Sequence, residues 1–510
     1  MNLRRRRAYL VSLVVIIAAL VSCNPPFAPG FDVSVRQSVA VDRLPRINPD
    51  YTGITIPPNI GPMNFTIQDS GTGYFVRFSS VEGRPIVLYC GNGRVWIPQK
   101  QWSALLSKNP GRPLRIAIYM RGHDAVWRGF KAIEDSIAVD KIDPYVMYRT
   151  LSVLYNYSRD ICIYQRDIER NRETEVLNAL NFFPGCCNCH TLWNNSPSKA
   201  LLHIRTQDFG SATLVMEGNS VTKINAKLGY SSWHPNGRLA VCSVNKVNQC
   251  FHSTWRDPRD AFDFTSGLVV YDAVKRCVVT VPQIFQEKAL ETWPCWSPDG
   301  AYLYFSSAPL LWNDFKTIPP DGLENVRYSL MRIPYDEKKD AWGEVETVLS
   351  AEQTGKSITQ PRISPDGRFM VFCMHRYGPS PYLQPSSDLY LMNMATKSYG
   401  ALPVNSPFAE SWHSWSSNSR WLAFTSKRID GVLGKIYFSR VDSTGAASKP
   451  FLMPQTDPDF YDSFVKSYNV PEFAIARFRV NQSDLVRAIK SPGHVDVSMP
   501  VTSATPRPGR

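Results

Sequence analysis

The second half of the chain repeats one pattern of apolar and polar positions. Four stretches carry it: Ser232-Trp233-His234-Pro235-Asn236-Gly237 before Leu239-Ala240-Val241; Cys295-Trp296-Ser297-Pro298-Asp299-Gly300 before Tyr302-Leu303-Tyr304-Phe305; Arg362-Ile363-Ser364-Pro365-Asp366-Gly367 before Phe369-Met370-Val371-Phe372; and Ser414-Trp415-Ser416-Ser417-Asn418-Ser419 before Trp421-Leu422-Ala423-Phe424. Each reads as strand, tight turn, strand. Pro presets φ, Asp or Asn bonds its own backbone, and Gly takes the φ > 0 position. The fourth copy has lost both Pro and Gly. A further strand pattern follows each turn, at 267–272, 328–333, 388–392 and 435–438, and a weaker one closes each unit. Four antiparallel strands per unit make one blade of a β-propeller. The units exceed the usual blade of about 40–50 residues. The excess lies at 248–265 and 308–325, lengths typical of functional loops.

Upstream, short strand patterns at 63–68, 74–80, 85–90, 94–98 and 114–121 predict a small β-sandwich-like domain over 51–135. Asp143-Pro144 then has the form of an N-cap followed by Pro at the first helical position. It predicts a helix over 145–154. A second helical stretch, 167–180, places Ile168, Val176, Leu177 and Leu180 on one side. Residues 136–198 are thus a short helical linker, 199–480 the propeller, and 481–510, rich in Ser, Pro and Arg, a disordered tail.

The first residues set the compartment. Arg4 to Arg7 precede an apolar run, 8–21, too short for an ordinary span, and Leu20-Val21-Ser22-Cys23 ends it. That is a secretory leader (1–22) similar to a bacterial lipobox, with Cys23 the acylated first residue of the mature chain. A Pro-rich tether, 23–50, follows. The expectation is a cell-envelope protein held by a lipid anchor at the outer membrane. The 510 residues carry a net charge of +13. No basic stripe interleaved with aromatics appears, so the charge predicts a basic surface and no nucleic-acid partner.

One motif carries chemistry. Cys186-Cys187-Asn188-Cys189-His190 contains Cys-x-x-Cys-His, the attachment signature of a c-type haem. The expected cofactor is haem c, with thioethers from Cys186 and Cys189 and with His190 as the axial metal ligand. His203, Met216, His123 and His234 are candidates for the distal ligand. Two other readings stay open. Cys186 or Cys187 could pair with Cys189 or a distant cysteine in a structural disulfide, or Cys186, Cys189 and His190 with one more ligand could hold Zn²⁺.

The Pro-Asp-Gly repeats resemble those of TolB-like propellers, over residues about 199–475. That resemblance implies six blades. Four are clear in the sequence, a fifth lies near 200–225, and a sixth, closed by 473–480, is implied. The whole chain also resembles exported lipoproteins of the Bacteroidetes type, which join a sandwich, a Tyr-Gln-Arg-Asp stretch (here Tyr164-Gln165-Arg166-Asp167) and such a propeller.

The fold class expected is mainly β: a β-sandwich-like domain, a short helical linker and a TolB-like six-bladed propeller. No Gly-x-Ser-x-Gly elbow, phosphate loop or His-Glu-x-x-His motif is present. The leading expectation is therefore not an enzyme but a membrane-anchored propeller. It binds a protein or envelope component, with the haem serving electron transfer or redox sensing. The alternatives are a scaffold with a structural Cys cluster and a propeller hydrolase acting on glycans or peptides.

Overall fold

The computed structural model describes residues 37–152, 161–253, 259–313 and 317–492. The leader, Cys23 and most of the tether lie outside them. The chain divides into two units, one of Ile142–Met453 with the residues from Phe464 onward, the other of the preceding residues with Pro454–Ser463.

The larger unit is a β-propeller of six four-stranded blades. Lys466–Ala474 forms the innermost strand of the first blade, hydrogen-bonded to Tyr145–Ser152, which pairs with Cys162–Asp167 and then Arg172–Asn178. The second blade is Gly185–Trp193, Ser196–Thr206, Ser211–Glu217 and Ser220–Ile224. The third is Ser231–Trp233, Leu239–Phe251, Arg259–Asp272 and Cys277–Thr280, and the fourth Ala289–Trp296, Tyr302–Pro309, Ser329–Asp336 and Glu346–Leu349. Ser357–Ile363, Phe369–His375, Asp388–Asn393 and Tyr399–Ala401 make the fifth; Glu410–Trp415, Trp421–Ser426, Lys435–Arg440 and Phe451–Leu452 make the sixth. A late strand thus completes the earliest blade, which closes the ring and removes its open edge.

The predicted turns have their expected chemistry. The Ser297 hydroxyl donates to Asp299 (2.6 Å) and accepts from the Tyr302 amide (2.9 Å). Gly300 sits at φ 72°. In the degraded copy Ser419 holds the same left-handed position at φ 61°, and Ser416 still bonds Asn418 at 2.6 Å.

Residues 136–198 correct the helical expectation. Tyr145–Ser152 is a strand, buried along nearly its whole length. Such a strand reads as a continuous apolar run and cannot be told from a helix by periodicity. Arg172–Asn178 is the outer strand of the first blade, its first four residues exposed. Among the described residues there, only Ala179–Phe182 is helical, as one 3₁₀ turn. The Cys motif therefore lies inside the propeller, on the innermost strand of its second blade. The tail is corrected too. Gln482–Lys490 is a helix whose Leu485 and Ile489, four residues apart, are buried among Leu214, Met216 and Phe182. Residues 493–510 lie outside the described part.

The smaller unit holds a seven-stranded sheet, a three-stranded sheet and the helix Gln99–Ser107. Phe78 in the large sheet meets Phe65 of the small sheet (6.3 Å between ring centres) and Trp102 of the helix (5.9 Å). Two strand pairs of the large sheet are parallel, which the sandwich expectation did not include.

Candidate functional site: a channel with two chemically different ends

The innermost strands of the six blades converge on a central channel. Five of the six are irregular at one shared position. The ladder shifts register between Cys187 and His190, Thr292 and Cys295, Thr359 and Arg362, and Ser411 and Ser414, and Lys466–Ala474 shifts likewise against Met147 and Arg149. At these bulges Trp293 (φ 57°), Gln360 (54°), Trp412 (50°) and Val470 (51°) are left-handed. A left-handed backbone is unusual for residues this bulky, and bulges re-aim side chains near sites. Their recurrence around the ring is a feature of the channel.

One end is a cavity of 220 Å³. Tyr230 stacks on Trp293 (3.5 Å between centres, 15° between planes), and Trp412 meets both edge-on or tilted, 5.1 Å from Trp293 and 5.8 Å from Tyr230. Arg149, Arg205, Arg259 and Lys227 also line this cavity, and among the described residues no carboxylate does. Burial lowers the Lys227 ammonium's pKa, and the Arg205 charge nearby adds to the effect. Arg205 Nε, Trp412 Nε1 and Gln360 Nε2 are buried without a protein partner.

The other end is a cavity of 400 Å³, ringed by one residue from each blade: His190, Ser232, Cys295, Arg362, Ser414 and Glu472. His190 Nε2 stands 3.7 Å from Glu472 Oε2. The pair has the spacing of an ion pair but not the charges. Burial, then the Arg149 charge, pushes the His190 pKa down to about 3. Burial pushes the Glu472 carboxyl up to about 8, against the opposing effects of the Leu192 amide and Arg362. Both groups are therefore largely neutral near pH 7. The Met147 carbonyl lies near the His190 ring but outside bonding geometry, and neither ring nitrogen has a hydrogen-bond partner.

The structure separates the predicted haem ligands. Cys186 and Cys189 border the 220 Å³ cavity, whereas His190 borders the 400 Å³ one. All three are at least nine-tenths buried. A single macrocycle would have to meet two thiols in one cavity and an imidazole in the other. These residues do not fit a covalently held haem, nor do they form a three-ligand metal cluster. Among the described residues the one such cluster is Cys250, His252 and Asp260, and it does not include His190. The disulfide reading is not met either, since all ten described cysteines are free thiols. Cys187 points into the core, its thiol near the carbonyls of Ile161 (3.7 Å) and Leu177 (3.8 Å).

The histidines weighed as distal ligands within the propeller have structural partners. His203 bonds Thr213 (3.1 Å) and Ser231 (2.9 Å), and His234 bonds the Gly300 carbonyl (3.2 Å). His413, at a blade's inner strand, bonds the Val371 carbonyl at 2.9 Å. Met216 is buried in the second blade.

Of the channel residues Tyr230, Trp293, Gln360 and Trp412, the first three escaped sequence reasoning, although a signal was present. Each stands seven positions before the last residue of its turn motif (Gly237, Gly300, Gly367, Ser419).

No protein-family model matches the chain, and no curated protein does. Solved propellers do resemble it. TolB from Acinetobacter baumannii is one. It shares 12% identity, with 74% of this chain and 86% of that one covered and a TM-score of 0.40. An oligogalacturonate lyase from Vibrio parahaemolyticus shares 11% identity over 59% of this chain and 92% of that one (TM-score 0.29). Prolyl oligopeptidase B from Galerina marginata shares 9% identity over 60% of this chain and 44% of that one (TM-score 0.33). These likenesses extend to the fold only. They do correct one expectation: propellers of this kind include enzymes, so the absence of sequence motifs is no ground for calling the chain a non-enzyme.

Proposed function

We propose that this chain is an exported protein tethered to a membrane through acyl chains on Cys23. Its propeller captures a carboxylate- or phosphate-bearing group of a cell-envelope partner at the aromatic end of its channel. One observation carries the reading: four cationic side chains and an aromatic cluster line the 220 Å³ cavity, with no carboxylate among its described residues. Guanidinium groups recognise carboxylate and phosphate through paired donors, and an enclosed site strengthens that attraction over its value in water. Tyr230, Trp293 and Trp412 supply a rigid apolar wall against which a ring or chain can lie.

Tryptophan emission provides the test, because Trp293 and Trp412 border the cavity. Titration with a glucuronate oligosaccharide and with a tetraglutamate peptide should change the emission for at least one anion. The apparent affinity should fall as salt rises, and Arg149→Met should weaken it. Emission indifferent to both anions, or binding unaltered in Arg149→Met, would count against this reading.

A further inference from the structure

We propose a zinc site on the long hairpin of the third blade, made by Cys250 Sγ, His252 Nε2 and Asp260 Oδ2, with a fourth position left for water. The sequence marked 248–265 as an unusually long excursion. The structure turns most of it into strand. Leu239–Phe251 and Arg259–Asp272 pair as far as Cys250 opposite Asp260 and Phe251 opposite Arg259. The two strands are thus much longer than a blade requires. Their outer end carries the one place, among the described residues, where three metal-ligating side chains converge, every ligand atom within 4.8 Å of the others.

His252 and Asp260 form a long hydrogen-bonded pair, and their spacing is one an ion can also bridge. His252 Nε2 lies 3.3 Å from Asp260 Oδ2. A charge-assisted N–H···O bond closes to about 2.7–2.9 Å. Two ligands each about 2.0–2.1 Å from a tetrahedral zinc stand roughly 3.3 Å apart. The observed separation matches the edge of that tetrahedron. Cys250 lies directly across the ladder from Asp260, and His252 lies one residue beyond the end of the Cys250 strand.

The carboxylate is also held as a ligand should be. Asp260 is 1% exposed. Its Oδ2 accepts from the Tyr377 hydroxyl (2.8 Å) and from Gln384 Nε2 (3.2 Å), both delivered by the fifth blade. Its Oδ1 accepts from the Ala261 amide (2.8 Å). Hydrogen bonds of this kind fix a ligating carboxylate in place. Cys250 packs with Phe262, Phe264, Trp312 and Tyr377, which gives the site a dry wall. His252 is 24% exposed.

Thiolate, imidazole and carboxylate together suit zinc better than the hard cations, which take oxygen donors alone. The opposite face of the same strands presents Gln249, Arg259 and Ala261 to the channel cavity. The ion therefore pins the hairpin that carries Arg259, whatever occupies the channel.

Cobalt is the probe. The full chain, purified in detergent and stripped with chelator, should bind one equivalent of Co²⁺. It should show thiolate-to-cobalt charge transfer in the near ultraviolet and intense tetrahedral d–d bands, both bleached by Zn²⁺. Cys250→Ser should lose the charge-transfer band. His252→Ala, at a partly exposed position, should lose tight binding while keeping the circular dichroism of the folded chain. Tyr377→Phe should weaken binding on the order of 10–100-fold. A Cys186→Ser, Cys189→Ser double variant should bind as the parent does. Cobalt bound without a thiolate band, no stoichiometric binding, or parental affinity in His252→Ala would overturn the site.

Discussion

Cys186, Cys189 and His190 on the second blade and Cys250, His252 and Asp260 on the third relate to the sequence in opposite ways. The first set is compact in sequence and dispersed in space, two thiols in one cavity and the imidazole in another. The second set is spread over eleven residues and converges to within 4.8 Å. The difference is secondary structure. Residues at i, i+3 and i+4 share one face of a helix, whereas a strand turns alternate residues to opposite faces. The Cys-x-x-Cys-His spacing gathers ligands on a helix or a tight turn, not along an extended strand. Here it lies on an inner strand, with a bulge between Cys187 and His190. A hairpin does the reverse: it sets Asp260 beside Cys250 through its register.

The largest expected effect tests the convergent set. Asp260→Ala removes the acceptor of Tyr377 and Gln384 and leaves both donors buried around the space. Each orphaned polar group costs about 1–3 kcal/mol, so a loss of about 3 kcal/mol is expected. Urea denaturation should show it as a lower midpoint at unchanged slope. Cys186→Ala, which removes one sulfur from a cavity wall, should cost less than about 1 kcal/mol. Equal losses in the two variants would erase the contrast between the sites.

A cofactor experiment addresses the dispersed set directly. Co-expression with haem-attachment machinery should yield protein with no Soret band after acid-acetone extraction. A retained band would mean that the inner strand of the second blade rebuilds as a helical turn, and the contrast would fail at its base.

The sequence made the propeller legible because its turns recur with fixed chemistry: Pro, Asp and Gly at set offsets, each followed by alternating apolar residues. The first blade stayed hidden. Its innermost strand, Lys466–Ala474, lies some three hundred residues from its partner Tyr145–Ser152, and their pairing is a long-range property. The haem reading came from the Cys-x-x-Cys-His motif itself, and reading 136–198 as a helical linker hid the strand that carries it. The hairpin cluster was half visible: 248–265 stood out by length, but only the register shows that Cys250 faces Asp260. The channel lining depends on bulges, which periodicity does not record.

Titration separates the two ends of the channel more gently. Burial pushes Glu472 and Glu291 up to about 8 and Asp263 up to about 7. A carboxyl whose folded pKa is raised contributes stability that is complete below its unfolded value, near 4, and is lost as pH rises through the folded value. These three should therefore cost stability between about pH 5 and 8. Burial pushes His190, His203, His375 and His413 down to about 3, which works in the other direction. Their contribution is complete above pH 6.5 and is lost as pH falls towards 3. Stability should peak in mildly acidic solution. Glu472→Gln, neutral at every pH, should flatten the alkaline limb, read as the shift of the thermal midpoint between pH 5 and 8. An unchanged limb would place the ionised Glu472 carboxylate in contact with water and remove the neutral-pair description of that end.

The smallest effect is expected at the residue most conspicuous in the sequence. His190 has no hydrogen-bond partner at either ring nitrogen and is 3% exposed. A buried polar group without a partner is a cost to the fold, and an apolar replacement of similar size removes that cost. His190→Leu should be neutral or stabilising by up to about 1 kcal/mol in urea denaturation, with cobalt binding at the hairpin unchanged. A ligand or catalytic histidine held in a folded site behaves in the same way towards stability, so function must be read alongside. Anion binding at the aromatic end should also survive, because His190 borders the other cavity. If His190→Leu abolishes that binding while the chain stays folded, the two ends of the channel act as one site, and the separation drawn between the thiols and the imidazole does not hold in solution.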